Sequence, residues 1–345
     1  MLGTIDDALD IFAGTGPEYS GGFSNHGPMA AEALIALGRA DAMIRWVESY
    51  KRRLLPAPRA GSPISQENWQ QALGDMNRIG DWIAFFDREL AEAPWAQVLD
   101  IWVKRLVPGL VSATMHCLIR TAHAVRSLAT HQNSQRLHEL AEGLGYWGAS
   151  YLVLPGGSAS HSGTKTATES IRLVKRLPQP HELSGSITDG LARLNDFPEF
   201  DAVSGLVDTQ GDASLFISDL TRTFGAVYLA NAHDLVSTII FVHGVTGPSA
   251  IRLLAPHLSS ETSALALRYG WQAAAALYAT FASAPMAEAD LFAAADGNTD
   301  DLIDRAVGTG DEHAIKFTEV CIREFKVAPN PIYIAAAWDA ISRLG

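Results

Sequence analysis

Apolar side chains recur at three- and four-residue intervals along nearly the whole of this chain, and that spacing restricts it to a helical architecture. Within Pro28–Tyr50, Ala30, Ala33, Leu34 and Leu37 fall at i, i+3, i+4 and i+7, and Pro28 suits a first helical turn. The same pattern predicts helices over Ser65–Ala91, Trp95–Leu106, Val111–Thr130 and Glu139–Trp147. It continues over Ile187–Leu194, Ala213–Ala232, Ser249–Ala255, Thr262–Ala284, Asp311–Phe325 and Ile332–Leu344. Short β-branched or aromatic runs are confined to Ser150–Leu154 and Ser237–Val242, and the second reads equally well as buried helix. Pro155–Thr168, rich in Gly, Ser and Thr, reads as a loop. No repeat of fixed period is present, which argues against a helical solenoid. The expectation is a mainly α fold: a single irregular multi-helical domain over residues 1–345, with few or no short strands.

Charge narrows the partners. The net charge of −12 argues against a phosphate-binding surface, so neither nucleic acid nor an anionic membrane is expected. No run of about 18 apolar residues is evident, and the Ala-rich stretch Trp271–Ala284 is too short to span a bilayer. The opening Met1–Asp7 lacks a basic and apolar leader pattern, and two cysteines, Cys117 and Cys321, exclude a disulfide framework. A cytoplasmic protein is the expectation.

One residue breaks the pattern of solvated charges. Drawn as a helix, Asp311–Cys321 puts His313, Lys316, Phe317 and Val320 on one stripe. Lysine is seldom enclosed without a partner. Either its ammonium snorkels to water, or the amine is held neutral and takes part in chemistry.

Several of the 11 histidines stand where they can join it. His26 lies just before a helix start, where the positive end of the helix dipole favours a neutral imidazole able to bind a metal; a polar residue near an N-cap is the plainer alternative. His116 and His123 share a helix face with Ser112, Ile119 and Arg120, but seven residues separate them by roughly 10 Å, a long reach for two ligands of one ion. One of the pair is expected to be a ligand and the other to line the pocket. Arg120, between them, is a candidate for holding an anionic substrate oxygen, or else a solvated surface charge. His243 closes the apolar run Ile239–Val242 and is expected to be partly buried. His233 looks like a helix-end residue, and His131, His138, His161, His181 and His257 are given no role. His-Glu-x-x-His, P-loop, Gly-x-Ser-x-Gly and zinc-finger patterns are absent, so any metal ligands meet only in the fold.

Four segments together resemble a known family. Tyr19-Ser20-Gly21-Gly22-Phe23-Ser24-Asn25-His26-Gly27-Pro28-Met29-Ala30, His116-Cys117-Leu118-Ile119-Arg120, Phe241-Val242-His243-Gly244-Val245-Thr246 and His313-Ala314-Ile315-Lys316 are similar, in this order, to motifs of the questin oxidase-like family. The resemblance implies a largely helical enzyme that oxidises or opens aromatic polyketide rings such as anthraquinones. It implies a non-haem iron held by His26, His116, His243 and His313, with Lys316 as a carboxylated ligand, and leaves His123 and Arg120 as pocket residues with candidate catalytic roles. Dioxygen and a polycyclic aromatic are the implied partners, and a reductant such as NADPH is a further candidate cofactor. A lysine amine reacts with carbon dioxide only when unprotonated, and burial lowers its pKa, so the chemistry agrees with the anomaly at Lys316. Two other readings stand beside it: a metal-dependent hydrolase using a carboxylated lysine, and a metal-free helical binding protein. The scarcity of Asp and Glu in the four motifs counts against a hydrolytic metal pair.

Overall fold

The computed structural model describes residues 3–19, 22–157, 163–178, 185–288 and 299–345. Helix makes up 72% of it and strand 4%, so the fold is mainly α, as expected. The helices, in chain order, are α1 (Ile5–Phe12), α2 (Gly27–Ala36), α3 (Ala40–Lys51), α4 (Ile79–Glu92), α5 (Trp95–Leu106), α6 (His116–Thr130), α7 (Ser134–Ala149) and α8 (Ala167–Ser170). They continue with α9 (Ile187–Ala192), α10 (Ala213–Asn231), α11 (Leu235–Leu254), α12 (Ser260–Phe281), α13 (Thr299–Thr309), α14 (Glu312–Val327) and α15 (Pro331–Leu344). Buried apolar side chains from Ile5 to Ile341 form one contiguous core.

Several boundaries differ from the expected ones for local reasons. The helix expected over Pro28–Tyr50 breaks at Gly38, whose φ of +74° suits glycine, and becomes α2 and α3. The first half of Ser65–Ala91 forms short 3-10 turns at Trp69–Ala72 and Met76–Arg78 instead of α-helix. Ser150–Leu154 forms no strand, and Ser237–Val242 and all but the last residue of Ser249–Ala255 are parts of the single helix α11. Asp234 starts α11 with a capping box, and burial between neighbouring helices overrides the β-branched character of its first turns. The helices α1 and α13 have no counterpart in the expected set. Residues 158–162 of the expected loop lie outside the described residues; 163–166 and the short α8 follow them.

The strands are brief. β1 (Thr15–Tyr19), β2 (Phe23–Ser24) and β3 (Leu54–Pro56) make an antiparallel sheet in the order β2-β1-β3. Its role here is positional, because β2 delivers the chain to the start of α2. Leu235–His257 is long and apolar enough to cross a membrane by length and composition, contrary to the expectation that no such stretch exists. Yet 78% of its apolar window is buried inside the fold, so packing against α10, α12 and α6 accounts for its hydropathy.

Candidate metal centre

Four segments that are far apart in sequence converge in the core. His26 occupies the N-cap of α2 with αR backbone angles, and its side chain makes no capping bond, so the ring is free to turn inward. His116 is the first residue of α6. It follows three consecutive left-handed residues, Ala113, Thr114 and Met115 (φ +46°, +55° and +67°), a conformation that disfavours side chains and is held by the surrounding core. The helix expected over Val111–Thr130 therefore starts only at His116, and the turn sets the direction of that ring. His243 lies mid-way along α11. His313 is in the first turn of α14, where the Asp311 carboxylate caps the backbone N–H groups of His313 and Ala314 at 2.8 and 3.0 Å. Lys316 is one turn further on.

The rings of His26, His116, His243 and His313 form a chain of close contacts, with centroids 4.5 Å apart for His26–His116 and His26–His313 and 4.4 Å for His116–His243. His26, His116 and His313 each offer a ligand atom within 4.8 Å of the others. His116 Nδ1 donates to the Ala113 carbonyl and His243 Nδ1 to the Ile239 carbonyl, both at 2.5 Å. A carbonyl only accepts, so both protons sit on Nδ1 and both Nε2 atoms are bare lone pairs. Those two Nε2 atoms face each other at 3.0 Å. Two bare nitrogens cannot hydrogen-bond to one another; a shared cation would satisfy both. Ligand bonds of about 2.0–2.1 Å at cis angles separate two nitrogens by about 3.0–3.4 Å, which matches.

Electrostatics keep these rings available. Burial pushes the His26, His116 and His243 imidazoles well below the usual histidine range. Lys316 adds to this for His26, His243 for His116, and His313 for His243. Lys316 is 4% exposed, and burial pulls its amine down to about 8 against the opposing pull of Glu312 and Asp311. Its Nζ lies 2.8 Å from His26 Nδ1, within hydrogen-bond distance. Of the two sequence alternatives for Lys316, snorkelling is therefore excluded.

The other two candidates lie differently. Arg120 is buried, but its guanidinium is taken up by α7: it donates to both oxygens of Glu139 at 2.7 and 2.8 Å and also to Glu142. An ion cluster of α6 and α7 thus engages Nε and Nη2 of Arg120, while its Nη1 is buried without a hydrogen-bond partner among the described residues; the alternative of a solvated surface charge is corrected, since the residue is 2% exposed. His123 stays out of the ring cluster. Its Nδ1 bonds Glu32 at 2.6 Å, and Arg126 links that carboxylate to Glu319. His123 also shares a cavity of about 10 Å³ with Lys316, Thr246 and Arg323, room for roughly one water. It is thus a neighbour of Lys316 outside the cluster of four rings.

Two further partners escaped the sequence reading. Tyr50 Oη accepts the backbone N–H of His26 at 2.8 Å, and Glu32 is 8% exposed among the apolar residues of α2. A buried carboxylate on an apolar helix is the same kind of anomaly as Lys316 and was the available signal for Glu32. Among the remaining histidines, His138 bonds Asp87 at the surface and His257 lies against Trp95, while His161 and His181 fall outside the described residues.

The family model for questin oxidase-like proteins matches residues 23–321. The chain belongs to the questin oxidase-like family. The matched span opens three residues before His26 and closes five after Lys316, so it encloses all five residues of the cluster. The family name describes an oxidase. No curated protein matches the chain.

Proposed function

We propose that this questin oxidase-like protein is a non-haem iron oxygenase acting on a polycyclic aromatic of the anthraquinone type, with oxidative ring cleavage as the candidate outcome. The observation that carries the reading is the pair of bare Nε2 atoms of His116 and His243, 3.0 Å apart and each fixed in tautomer by a backbone carbonyl. Imidazole-rich donor sets of this kind suit iron. His26 and His313 would complete a four-histidine set, and Lys316, as a carbamate, would add an anionic oxygen donor.

Iron bound there would supply the dioxygen chemistry that side chains lack. The protein's own part is preparation. Burial leaves a sizeable fraction of the Lys316 amine neutral near pH 8, so its lone pair can attack the carbon of carbon dioxide. A nitrogen–carbon bond forms, one carbon–oxygen π pair moves to oxygen, and the amine proton leaves to water, for which the cavity beside Lys316 has room. The anionic oxygens then balance a cation that is otherwise surrounded by neutral rings. His123 lines the small cavity beside Lys316 and is itself held by Glu32. On this reading an aromatic substrate approaches from the side of His313, whose side chain is 12% exposed. A reaction that inserts one oxygen atom draws electrons from a reductant such as NADPH; one that inserts both needs none.

Elemental analysis and oxygen uptake test this reading. The purified protein is expected to hold about one iron per chain and to consume dioxygen with a polyhydroxylated anthraquinone. Protein free of transition metal would favour a binding protein, and metal without oxygen consumption would favour a hydrolase.

A further inference from the structure

Away from the histidines, a cleft of about 670 Å³ opens between the C-terminal end of α12 and the segment 171–177 that follows α8. That volume lies in the range of small-molecule sites. Its walls are unlike the rest of this acidic chain. Arg172, Lys175 and Arg176 line it, no carboxylate does among the described residues, and none of the three makes an ion pair with a described carboxylate. The apolar surface comes from Val174, Leu177 and Tyr278, and the Leu177 N–H donates to the Ala279 carbonyl at 2.7 Å, which fastens this segment to α12.

Arg176 joins the two halves of the cleft. Its guanidinium lies 5.9 Å from the centre of the Tyr278 ring, and its Nη1 is buried with no hydrogen-bond partner among the described residues. A buried charged donor left without an acceptor is costly, and a native site normally provides one. An anionic oxygen from a ligand meets that need, and the flat ring of Tyr278 beside it favours a planar apolar body next to the charge.

We propose that this cleft binds an aromatic anion, its ring system against Tyr278, Val174 and Leu177 and its acidic group on Arg176, with Arg172 and Lys175 raising the local anion concentration at the mouth. The site is separate from the metal centre, since none of the five cluster residues lines it.

The test is a fluorescence titration of the full chain with 1-anilinonaphthalene-8-sulfonate, a planar aromatic sulfonate. One saturable site is expected. Arg176→Gln is expected to weaken it by about tenfold or more, the loss of one charged hydrogen bond, while Lys104→Gln and Lys316→Ala leave it unchanged. Wild-type affinity in Arg176→Gln, or loss of binding in Lys316→Ala, overturns the proposal. Should Arg176→Gln fail to fold, the exposed double variant Arg172→Gln/Lys175→Gln decides: weaker binding that steepens with falling salt supports the site, and unchanged affinity overturns it.

Discussion

His116 and His243, 127 residues apart in sequence, present their Nε2 atoms to each other at 3.0 Å, with both rings locked from behind by backbone carbonyls. Second-layer contacts of this kind orient metal ligands and fix their protonation. A cation between the rings stabilises the folded chain by mass action, about 2.7 kcal/mol at a free concentration one hundred times its Kd. For a chain of this length, stripping the metal with a chelator is expected to lower the melting temperature by about 4 °C, and re-addition to restore it. His243→Ala is expected to show no metal-dependent shift in a calorimetric scan, and His138→Ala the full one.

Lys316 gives the metal-free protein an unusual dependence on pH. Its folded amine titrates near 8, whereas an unfolded lysine titrates near about 10.4. Between these values the unfolded chain holds more protons, so stability rises with pH, by about 3 kcal/mol in full. His138 works in the opposite sense. Its hydrogen bond to Asp87 raises it to about 10, so its contribution is complete below the ordinary histidine value and is lost as pH climbs through 10. The difference in unfolding free energy between wild type and Lys316→Met, followed by urea titration from pH 8 to 10.5, isolates the lysine. A flat difference would refute the burial of its amine.

Because His123 bonds Glu32 and lies outside the ring cluster, its removal should spare the metal. His123→Leu is expected to retain wild-type metal content and to lose about 1–3 kcal/mol of stability through the broken contact to a buried carboxylate. Metal analysis alongside chemical denaturation distinguishes this from the behaviour of a ligand.

Arg120 holds two buried carboxylates, Glu139 and Glu142, on α7. Arg120→Met leaves Glu139 without its counter-charge and Glu142 with only His138 at 3.5 Å, and is expected to cost about 3–5 kcal/mol, with metal content intact. Adding Glu139→Gln and Glu142→Gln is expected to recover most of the loss. A variant of Arg120 that folded normally and lost only catalysis would contradict the placement of this residue.

Legibility in the sequence followed how far each signal reaches along the chain. Helical spacing is local and repeated, so long helices such as α10, α12 and α14 could be read directly, and the charged residue on the apolar stripe of α14 exposed Lys316. The break before His116 could not be read, because Ala113, Thr114 and Met115 carry no preference for left-handed angles; only the surrounding core imposes them. Arg120 and His123 share a helix face, yet their partners Glu139 and Glu32 come from other helices, and no local pattern says which will arrive. The strands of two to five residues include Gly16 and Pro17, which hid their pairing.

The hydrogen bond between His26 and Lys316 ties positions 290 residues apart. During synthesis the first ligand leaves the ribosome long before the last, so the centre cannot be assembled until nearly the entire polypeptide has emerged. Any loading with metal would therefore be a closing event in biogenesis, and a chain that stops before α14 carries three of the histidines without ever completing the set.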